Sequence, residues 1–259
     1  MNKRGQITIF IIIGIIIVVL AILLFLFFPQ IKTTLGFSDL NPSEFIQDCI
    51  EEEISNNVLM LSAQGGSLNP EHYILYNNEK IEYLCYTNEY YKTCVMQQPM
   101  LKEHIEAEIA DSIKIETNDC FNSLKESFEK RGYSVNLKQG AAEVELLPNR
   151  ISVNFNNALT LAKNEQTEKY DSINVVLNNN LYELISITNS ILNWEARYGD
   201  SETTTYMNYY HDLKVEKKKQ SDGTTIYILT DRNNQNKFQF ASRSLAWPPG
   251  YGVDDVVMT

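Results

Sequence analysis

Residues Ile7–Phe28 read ITIFIIIGIIIVVLAILLFLFF, a stretch of 22 residues with no charged side chain. A helix of this length is roughly 33 Å long, which matches the hydrocarbon thickness of a bilayer. Apart from Gly14 and Ala21, every residue from Ile9 onward is Ile, Leu, Val or Phe. Such residues together favour insertion by roughly 5–11 kcal/mol. The stretch therefore predicts a transmembrane helix over 7–28.

The charges beside this stretch predict its orientation. Lys3 and Arg4 precede it, and only Lys32 follows closely. The excess of basic residues marks the cytoplasmic side, so the N-terminus is expected inside and the main domain outside the cell. A cleavable secretory signal has a shorter apolar region and a small-residue cleavage site, which Phe25–Ile31 does not offer. We therefore expect a single-pass protein of the cell membrane, with membrane lipid as a partner.

The remainder of the chain is strongly acidic. The sequence has 22 Lys and Arg against 33 Asp and Glu, and three of the basic but none of the acidic residues lie in the first 38 positions, which leaves a net charge of −14 for the rest. A surface of this charge repels phosphate backbones, so nucleic acid is not expected as a partner.

The four cysteines, Cys49, Cys85, Cys94 and Cys120, all follow the apolar stretch. An even number in an exported domain favours two disulfides, while free thiols and a zinc site are the alternatives. The preferred pairing is Cys85–Cys94, which closes a short loop, and Cys49–Cys120, which joins two amphipathic helices. The spacing is poor for zinc, because no pair of histidines lies near these cysteines.

The hydrophobic pattern predicts three helices beyond the apolar stretch. The first starts at Asn41-Pro42 and ends at Gly65-Gly66. The second keeps one apolar face over about 30 residues from Leu101 to Phe128, with Cys120 on that face. The third starts at Ser172, with a break possible at the Asn178–Asn180 run.

Between and after these helices the pattern predicts strands. Candidate strands at 133–138, 142–147, 150–154 and 158–162 indicate an antiparallel meander. A hairpin is expected to turn at Asp222-Gly223, with a third strand at 238–241. The predicted fold class is α+β, an N-terminal transmembrane helix followed by an extracytoplasmic domain of amphipathic helices packed on antiparallel sheets.

The predicted organisation has five parts. They are a cytoplasmic leader at 1–6, a transmembrane helix at 7–28, a stalk at 29–40, an α+β domain at 41–246 and an irregular tail at 247–259. The domain is expected as one unit or as two packed lobes, near 41–170 and 171–246.

The N-terminal residues Lys3-Arg4-Gly5-Gln6, followed at once by the apolar run, resemble the class III signal of archaeal type IV pilin-like proteins. The resemblance covers about 28 residues of 259. It implies cleavage between Gly5 and Gln6 by a prepilin-peptidase-like enzyme. It also implies self-association through the apolar helix.

The sequence departs from this family at two points. Phe10 stands at the fifth mature position, where bacterial pilins usually have Glu, and the helix has few of the small residues that let helices approach closely. The residues expected in assembly are Ile7, Phe10, Gly14, Ile17, Ala21 and Phe25.

The sequence offers no recognisable catalytic motif. His72, His104 and His211 are far apart and fit neither a metalloprotease nor a hydrolase pattern. We therefore expect satisfied or solvated histidines, no enzyme, no cofactor and no metal. Two tyrosine clusters, at 83–91 and 206–210, favour either a recognition surface or core packing.

The function predicted first is a non-enzymatic cell-surface protein, a type IV pilin-like subunit of a filament or pseudopilus. An adhesive role for such a subunit is a variant of this prediction. The alternative is a non-polymerising bitopic membrane protein with an extracytoplasmic ligand- or partner-binding domain. An extracytoplasmic hydrolase would require carboxylates or a Ser/His pair that converge in a cleft.

Overall fold

Residues 40–246 are described by the computed structural model of the chain, and within them the fold is α+β with five helices and twelve strands. The described residues from Pro42 onward belong to one compact unit. The helices are α1 (Pro42–Gln64), α2 (Leu101–Ser112), α3 (Lys114–Lys130), α4 (Leu181–Tyr198) and α5 (Thr204–Tyr209).

One part of the predicted fold class requires correction. Among the helices within 40–246, none has the length and apolar character needed to cross a membrane. The predicted class included a transmembrane helix, and the structure supports helices and sheets without it. The stretch Ile7–Phe28, to which that helix was assigned, lies outside the described residues, as do the leader, most of the stalk and the tail from residue 247.

Helix α1 follows its sequence signals. It starts at Pro42, whose missing N–H costs nothing in the first helical turn. Its buried face carries apolar residues four apart, among them Ile46, Ile50 and Ile54, each 0% exposed. The helix packs against α2, α3 and three strands, so this face lies in the core.

The predicted 30-residue helix is in fact two helices that share one buried face. The break lies at Ile113, between α2 and α3. Just before it, Ser112 Oγ donates a hydrogen bond to the Ile109 carbonyl (2.8 Å), which also accepts from the Ile113 N–H (3.2 Å). A serine hydroxyl that competes for a backbone acceptor commonly bends a helix. Ile113 and Cys120 remain buried across the break.

The largest sheet is mixed rather than antiparallel. Its strand order is β1-β2-β12-β11-β10, with β3 paired to β2. The β2–β12 pair is parallel, which corrects the prediction of purely antiparallel sheets, and its register shifts at Ala241/Ser242. The strands are β1 (Tyr73–Tyr76), β2 (Glu79–Tyr86), β3 (Val95–Met96), β10 (Leu213–Lys219), β11 (Thr224–Asp231) and β12 (Lys237–Arg243).

The predicted meander is instead two separate three-stranded sheets, ordered β4-β7-β8 and β5-β6-β9. The chain passes between them at Gly140 and Asn156-Asn157. Asn157 Oδ1 accepts a hydrogen bond from the Gly140 N–H (2.7 Å), and a Cβ on Gly140 would lie 2.0 Å from the Asn156 carbonyl oxygen. Only glycine permits this approach. The strands are β4 (Ser134–Lys138), β5 (Ala142–Leu147), β6 (Arg150–Phe155), β7 (Ala158–Lys163), β8 (Gln166–Tyr170) and β9 (Ile173–Asn178).

The predicted start of the third helix at Ser172 is wrong. Residues Ile173–Asn178 form β9, in which buried and exposed side chains alternate, and the helix starts after the asparagine run, at Leu181. This helix is α4. It contacts β2, β11 and β12 of the mixed sheet as well as α2, β5 and β6.

Candidate functional site

A cleft of about 290 Å³ opens at the N-terminal end of α4. The first two turns of α4 form one side, and residues 210–213, which lead into β10, form another. Asn180, Asp231 at the end of β11 and Asn149 in the β5–β6 turn complete its lining. We call it the α4 cleft.

Asparagine side chains hold these segments together. Asn180 Nδ2 donates to Asp231 Oδ2 (2.6 Å), and Asn180 Oδ1 accepts from Asn236 Nδ2 (2.7 Å). Asn179 Oδ1 accepts from the Leu181 N–H at the start of α4 (2.9 Å). The asparagine run that is poor helix material therefore ends the strand, satisfies the helix terminus and ties α4 to the β11–β12 turn.

The α4 cleft has an acidic lining. Glu183 Oε1 accepts from the Asn149 N–H (2.9 Å), while its Oε2 is buried without a hydrogen-bond partner among the described residues. Asp231 also lines the cleft, and Asp212 and His211 are exposed at its rim. Of the described residues that line it, none is Lys or Arg. Among the described residues, the cleft therefore presents three carboxylates and one histidine, without a Lys or Arg beside them.

A second cleft, of about 330 Å³, lies on the other side of α4's first turns. It is lined by residues 99–103 at the start of α2 and by Ile185 and Asn189. Tyr182 and Ser186 line both clefts. Because these two residues are one helical turn apart, they form a ridge between the clefts. We call the two clefts with this ridge the α4 groove.

A Ser–His–Glu cluster that the sequence analysis missed lies where the loop after α1 meets β2 and α2. Ser67 Oγ donates to Glu82 Oε2 (2.5 Å) and lies 2.9 Å from His104 Nε2. Because the single hydroxyl proton is directed to Glu82, His104 is the donor to Ser67. Burial raises the pKa of Glu82, and the Ser67 hydrogen bond opposes that shift.

This geometry differs from that of an activated serine, in which the hydroxyl proton points to the histidine. Ser67 is only 6% exposed, and Glu108 Oε2 accepts from the neighbouring Leu68 N–H (2.9 Å). The cluster thus fixes the loop after Gly65-Gly66 between a strand and a helix. Its members are 15 and 37 residues apart, and no local pattern connects them.

A second buried acid lies near the C-terminal end of α4. Glu195 is 2% exposed; its Oε1 accepts from the Tyr227 hydroxyl and its Oε2 from Ser242 Oγ (3.0 Å). Burial raises the pKa of Glu195, and burial beside that carboxyl raises the pKa of Tyr227 well above its usual value. One sequence signal existed, because Glu195 continues the apolar stripe four residues after Ile191.

Both disulfides are present, Cys49–Cys120 and Cys85–Cys94, which is the preferred pairing. The prediction of disulfide bonding is confirmed. On the chain-entropy model, their sequence separations of 71 and 9 correspond to about 4.4 and 2.6 kcal/mol. Cys94 Sγ lies 3.6 Å from Ser242 Oγ, next to the buried Glu195.

Among the described residues, the one group with the geometry of a metal site is Cys49, Glu116 and Cys120. The two sulfurs of that group are bonded to each other. Disulfide sulfurs are not the thiolates that bind zinc.

The tyrosine clusters divide between core and surface. Tyr83 is buried and its hydroxyl lies 3.0 Å from Thr224 Oγ1. Tyr91 is 78% exposed and Tyr209 80% exposed. Tyr210, half exposed, lines the α4 cleft, so the second cluster contributes to the candidate site.

The residues predicted for processing and assembly lie outside the described residues. They are Gly5 and Gln6 for processing, and Ile7, Phe10, Gly14, Ile17, Ala21 and Phe25 for assembly.

No family of known proteins, curated protein or solved structure matches the chain.

Proposed function

We propose that this chain is a non-enzymatic, exported binding protein that takes a partner in the α4 groove. The observation that carries the proposal is the groove itself, two clefts that flank Tyr182 and Ser186 on one helix. Aromatic and apolar walls with a few fixed polar groups are typical of recognition sites. The groove supports the alternative predicted from the sequence, a ligand- or partner-binding domain.

The disulfides support an oxidising location. Both bonds are formed, and three of the four cysteines are 3% exposed or less. Such bonds form and persist outside the reducing cytosol. The acidic surface agrees with a protein that stays soluble while exposed to a salty exterior.

Crosslinking from the groove tests this proposal. A photo-crosslinking phenylalanine derivative in place of Tyr182 should give one adduct of defined mass in the cells that make the protein. The adduct should weaken when Ser186→Trp places a bulky indole on the ridge between the clefts. The same derivative at the exposed Lys169 on β8 is the matched control. Equal crosslinking from both positions, or none from Tyr182, would contradict a binding role for the groove.

A second candidate function is a pilin-like subunit, and the specific observation in its favour is the run Lys3-Arg4-Gly5-Gln6 before the apolar stretch. Under this proposal a prepilin-peptidase-like enzyme cleaves after Gly5, and the mature chains self-associate into a filament or pseudopilus. The groove then serves contact between subunits or adhesion.

Mass spectrometry of the mature N-terminus tests the second candidate. The chain should start at Gln6, and Gly5→Leu should abolish processing while Lys32→Leu leaves it intact. A mature chain that retains Met1–Gly5 would exclude this kind of processing. Electron micrographs of cell-surface material from the same cells should show filaments that the Gly5→Leu cells lack.

A further inference from the structure

We infer that the partner is a polypeptide and that it places an Arg or Lys side chain in the α4 cleft. This inference rests on the proposed function, because it specifies what occupies the same groove. Three features carry it: the charge of the cleft, the nature of its walls and the second cleft across the ridge.

The charge of the cleft favours a cation. Glu183, Asp212 and Asp231 line it, and none of the described residues that line it is Lys or Arg. Two of these carboxylates already accept backbone or amide hydrogen bonds, so they are fixed in place. The positive end of α4 amounts to roughly half a unit charge, which three carboxylates outweigh.

Glu183 provides the most specific signal. Its Oε1 is bound to the Asn149 N–H, whereas its buried Oε2 has no hydrogen-bond partner among the described residues. A buried acceptor without a donor has lost its hydrogen bonds to water and gained none in return, which disfavours the folded state. A guanidinium or ammonium group that enters from the cleft, with a small rotation of the Glu183 side chain, would supply the missing donor.

The walls fit the apolar stem of a basic side chain. Ile187 and Leu213 line the cleft together with the rings of Tyr182 and Tyr210. Lys and Arg bury their methylene groups against such surfaces while the charged head stays near polar groups. Tyrosine faces also attract cations directly. The volume of about 290 Å³ lies just below the range of ordinary small-molecule sites, which suits a single side chain.

The second cleft favours a polypeptide over a free amine. A small organic cation would fill the α4 cleft alone. Successive side chains of an extended segment point to opposite sides, so a segment that lies along the Tyr182–Ser186 ridge reaches both clefts. Residues 99–103, which line the second cleft, include the exposed Met100, which offers an adaptable apolar contact.

Three probes test the inference on the full chain by amide NMR. They are the peptide acetyl-Leu-Arg-Ala-Leu-amide, the same peptide with citrulline for Arg, and n-butylguanidinium. The Arg peptide should shift resonances at 182–187 and 210–213, with an affinity at least tenfold above that of the citrulline peptide. It should also bind tighter than n-butylguanidinium.

Paired variants separate the cleft from the general acidity of the protein. Glu183→Gln with Asp212→Asn should lower the affinity for the Arg peptide about tenfold and leave the citrulline peptide unaffected. Glu143→Gln with Asp171→Asn removes the same charge from exposed positions outside the groove, and should change either affinity less than twofold. An equal loss in both double variants would overturn the inference.

The outcomes distinguish this inference from the proposed function. If both peptides bind the groove equally, the preference for a cation is wrong while the binding role stands. If n-butylguanidinium binds as tightly as the Arg peptide, the occupant is a small amine and the polypeptide is excluded. If no probe shifts groove resonances, the inference fails, and crosslinking from Tyr182 independently decides the proposed function.

Discussion

The two ends of α4 each carry a glutamate, and the two differ in burial and in hydrogen bonding. Glu195 near the C-terminal end is fully buried, with one oxygen bound by Tyr227 and the other by Ser242. Glu183 at the N-terminal end lines a cleft, with one oxygen bound by the Asn149 N–H and the other without a hydrogen-bond partner within residues 40–246. One helix thus presents a completed and an incomplete polar network, twelve positions apart.

The contrast distinguishes a carboxylate that stabilises the fold, Glu195, from one that is available to a binding partner, Glu183. A completed buried network repays part of its desolvation cost and specifies how the elements around it pack. An incomplete network beside a cleft costs free energy that a binding partner can recover. We therefore expect substitutions at Glu195 to change folding, and substitutions at Glu183 to change binding.

The largest effect is expected for Glu195→Ala. It leaves the Tyr227 hydroxyl and Ser242 Oγ without their acceptor and opens a cavity, so the free energy of unfolding should fall by about 3 kcal/mol. Urea unfolding measures the loss. Glu183→Ala is the matched control and should cost less than about 1 kcal/mol. Equal losses at the two positions would remove the distinction between the ends.

The next effect concerns the disulfide at the Glu195 end. Cys85→Ala with Cys94→Ala should lower the free energy of unfolding by about 2.6 kcal/mol on the chain-entropy model. Because Cys94 contacts Ser242, the loss should be non-additive with Glu195→Gln, by more than about 0.5 kcal/mol. A double-mutant cycle measures this coupling. The same cycle with Glu183→Gln should be additive, and coupling there would contradict two independent ends.

The third prediction concerns pH. Burial raises the pKa of Glu195 in the folded chain above its ordinary value of 4.5, so the folded state holds this proton more tightly than the unfolded state. The stabilisation that comes from protonated Glu195 is fully present below pH 4.5, and it is lost as the pH rises through the pKa of the folded state. The measured quantity is the difference in free energy of unfolding between the native chain and Glu195→Gln. This difference should decrease as the pH rises, by about 1.4 kcal/mol if the pKa of Glu195 is raised by one.

Burial raises the pKa of Glu82 as well, so Glu82 also makes the stability depend on pH. For this reason the free energy of unfolding of the Glu195→Gln variant is subtracted at each pH. The comparison isolates Glu195 because Glu82 is common to both chains. A difference that stays flat from pH 4 to pH 8 would show that the Glu195 carboxyl titrates alike in the folded and unfolded states.

The smallest effect on stability is expected for Glu183→Gln. The amide oxygen keeps the hydrogen bond from the Asn149 N–H, and the free energy of unfolding should change by less than about 0.5 kcal/mol. Binding of the Arg peptide should nevertheless weaken severalfold. Urea unfolding and the NMR titration measure the two effects on one sample. A large loss of stability without loss of binding would assign Glu183 to folding.

The sequence predicts well those features that local spacing determines. The apolar stripe of α1, with Ile46 and Ile50 four apart, is buried as expected. The position of Cys49 beside one helical stripe and of Cys120 on another predicts their disulfide, and the two are bonded. The hairpin turn at Asp222-Gly223 follows from residues that tolerate a positive φ, which is +89° at Gly223.

Features that depend on contacts between distant residues could not be predicted from local spacing. Ile173, Leu177 and Leu181 fit a four-residue spacing, whereas Ile173, Val175 and Leu177 fit the two-residue spacing that the strand uses. The parallel pairing of β2 with β12 joins residues more than 150 positions apart. The α4 groove depends on such pairings, because the loops that line it come from distant parts of the chain.

The Cys49–Cys120 bond limits how far the chain can extend under mechanical tension. It closes a covalent loop with a separation of 71 residues, so tension applied to the two termini bypasses everything inside that loop. At 3.3–3.6 Å per extended residue, about 230–260 Å of contour length is withheld from stretching. Single-molecule extension in oxidising buffer should therefore be shorter by that length than in reducing buffer.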